Sequence, residues 1–141
     1  GFGPQAGMIP MQISTGILMS PLLILYWNAW PSPEESGKNR CCWIMDVEKE
    51  SLTIKVTLNP GHKMNYHSHE FRDEVWTVIY GEGRAVIDGE ECRVKAGDVL
   101  RMPAGCRHML LADTELQVIE VQLGKDISVQ DKKKYPPLKP L

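Results

Sequence analysis

An all-β fold, a closed antiparallel barrel, is what this sequence predicts, and three features carry the prediction. From Arg40 onward the chain is a succession of short runs rich in Val, Ile, Thr and Tyr. Turn residues separate these runs at close spacing, and no long helical period interrupts them. Histidines and a carboxylate of metal-ligand type fall on runs far apart in the chain, and a closed sheet is the arrangement that lets distant strands meet at one interior point.

Residues 1–38 read as an apolar arm followed by a linker, Trp30-Pro31-Ser32-Pro33-Glu34-Glu35. The apolar stretch Ile17 to Trp27 is shorter than the roughly 20 residues of a spanning helix, Pro21 interrupts it, and no Lys or Arg precedes Lys38. Neither a membrane span nor a signal peptide is therefore expected. The arm reads instead as an extra strand or two that cover a sheet face or pair with a second subunit.

The barrel is expected over residues 39–125. Leu52 to Leu58 alternates as a strand and stops at Asn59-Pro60-Gly61, where Pro sets φ and Gly accepts a positive φ. Lys63 to His69 is the next expected strand, followed by Glu74 to Tyr80 and, beyond Gly81-Glu82-Gly83, by a strand to Ile87. Asp88-Gly89 predicts a type I′ hairpin into Glu91 to Val94. Ala96-Gly97-Asp98 turns the chain into Val99 to Met102, and Arg107 to Leu111 and Leu116 to Gln122 complete the set. Residues 126–141 form a tail whose basic, Pro-rich end, Lys132 to Leu141, is expected to be solvated and partly extended.

A chain of 141 residues accommodates one core and one site. A net charge of −2 provides no basic surface for neutralising phosphates, so nucleic acid is not an expected partner. Cys41, Cys42, Cys92 and Cys106 lack a CxxC spacing. They read as small buried hydrophobes in a reducing compartment, which points to the cytoplasm.

Two spaced patterns carry the chemistry: Gly61-x5-His67-x-His69-x4-Glu74-x6-Gly81 and Gly97-x5-Pro103-x-Gly105-x2-His108. His67 and His69 are two apart and leave the same face of a strand. Glu74 follows a short turn that can return its carboxylate beside them, and His108 must arrive from another hairpin. Three imidazoles and one carboxylate suit Zn, Mn, Fe, Ni or Co rather than Ca or Mg. Four protein ligands would leave open positions on such an ion for water or substrate.

These patterns resemble the two motifs of the cupin superfamily, over roughly Ser51 to Gln122. The resemblance implies a double-stranded β-helix, a jelly-roll-like barrel with a metal near one mouth, and a homodimer, for which the apolar arm supplies a physical reason. Within the superfamily the chain looks most like the barrel domain of type II mannose-6-phosphate isomerases and mannose-1-phosphate guanylyltransferase fusions. That likeness lies in Glu74 to Gly81, Val86 to Glu90, Met102 to His108 and, above all, Val118 to Gly124. It implies aldose–ketose interconversion of a sugar phosphate through an enediolate. Arg101 and Arg107 are then candidates for gripping phosphate, Glu120 for the base, and Trp76 for a wall against the sugar, with Val78 and Tyr80 sharing its inward face. The chain departs from the pattern at His67, where Gln is common, and at Met109 to Ala112, where an Arg and an Asn are missing. Two other readings accompany the isomerase: a cupin dioxygenase with an Fe or Ni centre, and a non-enzymatic cupin that binds a sugar or metabolite through its metal.

Overall fold

The computed structural model describes residues 11–13 and 40–136. Its strands, in chain order, are β1 (Met11–Ile13), β2 (Arg40–Val47), β3 (Ser51–Leu58), β4 (His67–Ser68), β5 (Asp73–Tyr80) and β6 (Glu82–Ile87). They continue with β7 (Glu90–Lys95), β8 (Val99–Met102), β9 (His108–Ala112), β10 (Leu116–Leu123) and β11 (Lys133–Lys134). Two sheets form, with the orders β1-β2-β3-β10-β5-β8 and β11-β4-β9-β6-β7. All pairings are antiparallel except the edge strand β1, which runs parallel to β2. Among the described residues there is no helix, and none is therefore long and apolar enough to cross a membrane.

Strict alternation puts one face of each long strand into the core. On β3 the inward residues are Leu52, Ile54, Val56 and Leu58, and on β10 they begin with Leu116 and Val118. With Ile44, Val78, Ala85, Met102 and Leu110 they build the interior between the sheets. Each of these side chains larger than alanine contributes about 1.5–3 kcal/mol relative to exposure. The β6–β7 hairpin turns on Asp88 and Gly89 at φ 47° and 85°, both positive as a type I′ turn requires. Gly61, Gly81, Gly97 and Gly105 all take positive φ at the turns where the motifs set them. At Gly81 space matters as much as conformation, since a Cβ there would lie 1.8 Å from the Glu115 carbonyl oxygen.

Several expectations meet a different outcome. Lys63 to His69 is not one strand: Lys63 makes a single bridge to Leu111, and regular pairing resumes only at His67. Alternation therefore breaks, so that Met64 joins the main core while Tyr66 packs on the outer side with Val86, Met109 and Tyr135. Tyr80 does not line the interior. It ends β5 beside a register shift at Gln117/Val118 and is exposed. Cys42 and Cys106 are buried, but Cys92 lies on the exposed strand β7. The chain after Gly124 is not a solvated tail throughout. β11 pairs with β4, Tyr135 packs edge-on against Tyr66 with centroids 6.1 Å apart, and together they cover the outer side of β9. Apart from β1, the apolar arm and its linker lie outside the described residues, as do residues 137–141.

Candidate metal centre

His67 opens β4, His108 opens β9, and the two are paired across the ladder with ring centroids 4.4 Å apart. His69 follows one residue beyond β4, its ring 4.8 Å from that of His67 and 5.4 Å from that of His108. The ligand nitrogens of the three rings lie within 4.8 Å of one another. Glu74 reaches them from the opposite sheet, as the second residue of β5. Its Oε2 is 3.1 Å from His69 Nε2 and its Oε1 is 3.4 Å from His108 Nε2. All four side chains are 5% exposed or less. The three predicted histidines thus meet in one cluster, and Glu74 stands against His69 and His108.

The main chain aims the imidazoles. His67 Nδ1 donates to the Asn65 carbonyl at 2.5 Å, His69 Nδ1 to that of Asp131 at 2.5 Å, and His108 Nδ1 to that of Cys106 at 3.0 Å. A carbonyl oxygen only accepts, so each ring carries a proton on Nδ1, which leaves Nε2 as the nitrogen able to serve as a metal ligand. His108 Nε2 is buried and makes no hydrogen bond. Burial pushes the His67 pKa down to about 2, with the charges of His108 and Lys132 adding to it. Burial also lowers His69, to about 4, against the pull of Glu74 and with a push from Arg72. For Glu74 burial acts upward but is outweighed by the nearby His108 ring, 3.4 Å away, and by the charge of Arg72, so the carboxyl titrates well below its usual range. Neutral His67 and His69 and an ionised Glu74 are in the protonation states a metal requires of its ligands. The donor set fits a divalent transition ion.

Other residues complete the site. Arg72 is buried, and its Nε donates to Glu74 Oε2 at 2.9 Å, its Nη1 to the Ser128 carbonyl at 3.0 Å and its Nη2 to His69 Nε2 at 3.1 Å. Trp76 Nε1 donates to Glu74 Oε1 at 3.0 Å while its ring meets His108 edge-on. The tryptophan expected as a pocket wall therefore holds the Glu74 carboxylate. Sequence reasoning passed over Arg72, although its place two residues before Glu74 was a usable signal. It also passed over Gln122, which stands opposite Glu74 and donates to Glu120 at 2.6 Å. Glu120 itself faces inward and is buried, opposite Trp76 and Ile54.

The two arginines expected to grip phosphate stand elsewhere. Met102 pairs with Glu74 on the inner face, so Arg101 points outward, 66% exposed and 3.9 Å from Asp73. Arg107 is exposed, one residue before the inward His108, and its guanidinium lies 3.9 Å over the Tyr135 ring on the outside of the sheet. An open depression of about 720 Å³ lies beside the β4–β5 loop, lined by Ser68, Glu70, Phe71, Gly105 and Asp131 among others.

Residues 54–122 match the cupin domain family. This chain carries a cupin domain. Curated relatives that align with it include a guanylyltransferase and an oxalate-binding protein. Mannose-1-phosphate guanylyltransferase ManC of Salmonella typhimurium is 28% identical over 89 residues, 62% of this chain and 18% of that protein. The oxalate-binding protein of Thermotoga maritima is 31% identical over 75 residues, 52% of this chain and 62% of that protein. The chain therefore spans less than a fifth of the guanylyltransferase and less than two thirds of the oxalate-binding protein. Among solved structures, KdgF from Halomonas sp. superimposes with a TM-score of 0.61 at 21% identity, over 64% of this chain and 84% of that one, which establishes the shared cupin fold. The site of this cupin is a three-histidine cluster suited to a metal ion.

Proposed function

We propose that this cupin holds one divalent transition metal on His67, His69, Glu74 and His108 and binds a small oxygen-rich metabolite beside it. The proposed reaction is proton transfer between neighbouring carbons, of the aldose–ketose isomerase type. The observation that carries the proposal is the set of three imidazoles, each pinned through Nδ1 to a main-chain carbonyl, with their ligand nitrogens within 4.8 Å of one another and Glu74 against two of them. A bound divalent ion supplies Lewis acidity toward substrate oxygens. Glu120 is the proposed base: it shares the inward face of the barrel with the ligands, and Gln122 Nε2 fixes one of its oxygens. Trp76 and Arg72 hold Glu74, and so keep the metal-facing carboxylate in place. The match to a mannose-1-phosphate guanylyltransferase supports a sugar-type substrate. Arg101 and Arg107 remain the arginines named for phosphate, but their outward positions favour a substrate held through its chelating oxygens.

That same outward placement favours a second reading, a cupin that binds a small dicarboxylate or other metabolite without turnover, in line with the oxalate-binding relative. A dioxygenase draws support from Met102 and Trp76, the large side chains that adjoin Glu74 on the inner face.

The test is metal analysis of the reconstituted protein, then assays with mannose 6-phosphate, fructose 6-phosphate and their unphosphorylated sugars, with oxalate binding measured by calorimetry. We expect one equivalent of metal, isomerisation by the wild type, and its loss in Glu120→Gln with metal content unchanged. Failure to retain metal refutes the centre. Oxalate binding without turnover selects the second reading, and bound iron with oxygen uptake selects the dioxygenase.

A further inference from the structure

We propose that the segment after the barrel, residues 126–136, is a clasp for the metal centre, with Asp131 as the positioning residue for His69. The inference rests on the metal reading above and adds to it a part of the chain beyond residues 54–122, the span matched to the cupin family.

His69 lies past the end of β4, where its carbonyl accepts from the Gly105 amide at 2.7 Å but no ladder fixes its ring. Asp131 supplies the missing restraint three times over. Its carbonyl accepts from His69 Nδ1, its Oδ1 accepts from the Glu70 amide at 2.8 Å, and its Oδ2 accepts from the Phe71 amide at 2.9 Å. The carboxylate thus ties down the two peptide units that follow the ligand, and that tie keeps the carbonyl against the ring. The bend presenting these groups is built locally: Asp131 N donates to the Ser128 carbonyl at 3.2 Å and Gln130 N to Ser128 Oγ at 3.1 Å. The same Ser128 carbonyl accepts from Arg72 Nη1. Beyond the bend, β11 pairs with His67 and Ser68, the Tyr135 hydroxyl meets Ser68 Oγ at 2.9 Å, and Tyr135 N donates to the Tyr66 carbonyl. One distant segment therefore grips the ligand strand at both ends and sets the tautomer and direction of His69. Removing an outer partner of a metal-binding histidine typically weakens metal affinity by about 10–100-fold.

The test is titration of the full chain with Co²⁺, followed by calorimetry and visible absorption, together with nitrogen-15 NMR of the histidine rings in the metal-free protein. Wild type is expected to bind one Co²⁺ and to show three protected Nδ1–H protons. Asp131→Ala is expected to bind about 10–100-fold more weakly and to lose the His69 proton while those of His67 and His108 persist. Asp131→Asn keeps one acceptor oxygen and is expected to fall between the two. Unchanged affinity in Asp131→Ala overturns the proposal, as does equal loss of all three ring protons, which would mark a general structural role. Should the alanine variant not fold, unchanged affinity in Asp131→Asn overturns it equally. A wild type that shows the three ring protons but binds no Co²⁺ refutes the metal reading itself, and the clasp with it.

Discussion

Replacing Arg72 by Met tests the electrostatics of the centre directly. Arg72 and Glu74 form an ion pair at 2.9 Å in which the carboxylate is 1% exposed. Methionine preserves most of the stem but leaves the Glu74 charge buried opposite no cation, and breaking a buried pair in this way costs about 3–5 kcal/mol. For a folded body near 100 residues each kcal/mol moves the melting temperature by about 4–8 °C, so metal-free Arg72→Met should melt at least about 12 °C below wild type. A saturating divalent ion restores a positive partner to Glu74. It also stabilises the folded state by about 2.7 kcal/mol when present at 100 times its Kd. The deficit should therefore shrink when the scan is repeated with excess Zn²⁺ instead of chelator. Differential scanning calorimetry under both conditions makes the comparison. If Glu74 instead takes up a proton in the variant, the metal-free deficit should narrow on acidification. A metal-free variant melting with the wild type would refute the view that Arg72 holds a buried carboxylate charge.

Acid should destabilise the metal-free protein earlier than its carboxylates alone would dictate. His67 and His69 bind fewer protons folded than unfolded between their lowered values, about 2 and about 4, and the ordinary 6.5. Stability then falls as pH drops below about 6.5 and is flat above it. Glu74, depressed in the folded state, adds its own loss below the ordinary 4.5. A urea midpoint unchanged between pH 7 and pH 5 would contradict this. At the turns, Gly81→Ala adds a clash with the Glu115 carbonyl to a positive φ, whereas Gly61→Ala meets open space and bears only the backbone strain. Chemical denaturation should give about 1–2 kcal/mol for Gly61→Ala and clearly more for Gly81→Ala, and equal losses would rule out the close approach at Gly81.

The strands of the barrel were legible because alternation and turn chemistry agree, as on β3 and in the Asp88-Gly89 hairpin. The meeting of three histidines beside Glu74 was legible because each of the four sits at a fixed offset from a turn glycine. The inward direction of Glu120 was not, since Leu116 to Leu123 has apolar residues of both parities, and only pairing with β3 and β5 decides the face. Arg101 and Arg107 were read by their nearness in sequence to the hairpin that bears His108, yet one residue along a strand is the opposite side of the sheet. Asp131 had no sequence signal at all. Its role arises from the chain folding back over β4, which depends on Tyr135 finding the apolar surface around Tyr66.

That all three imidazoles lean on peptide oxygens has an evolutionary corollary. Every amino acid offers such an oxygen, so the letters at positions 65 and 106 can drift without disturbing the rings they orient. What selection must guard is the route of the polypeptide. Insertions and deletions, more than substitutions, are the changes that should silence this centre.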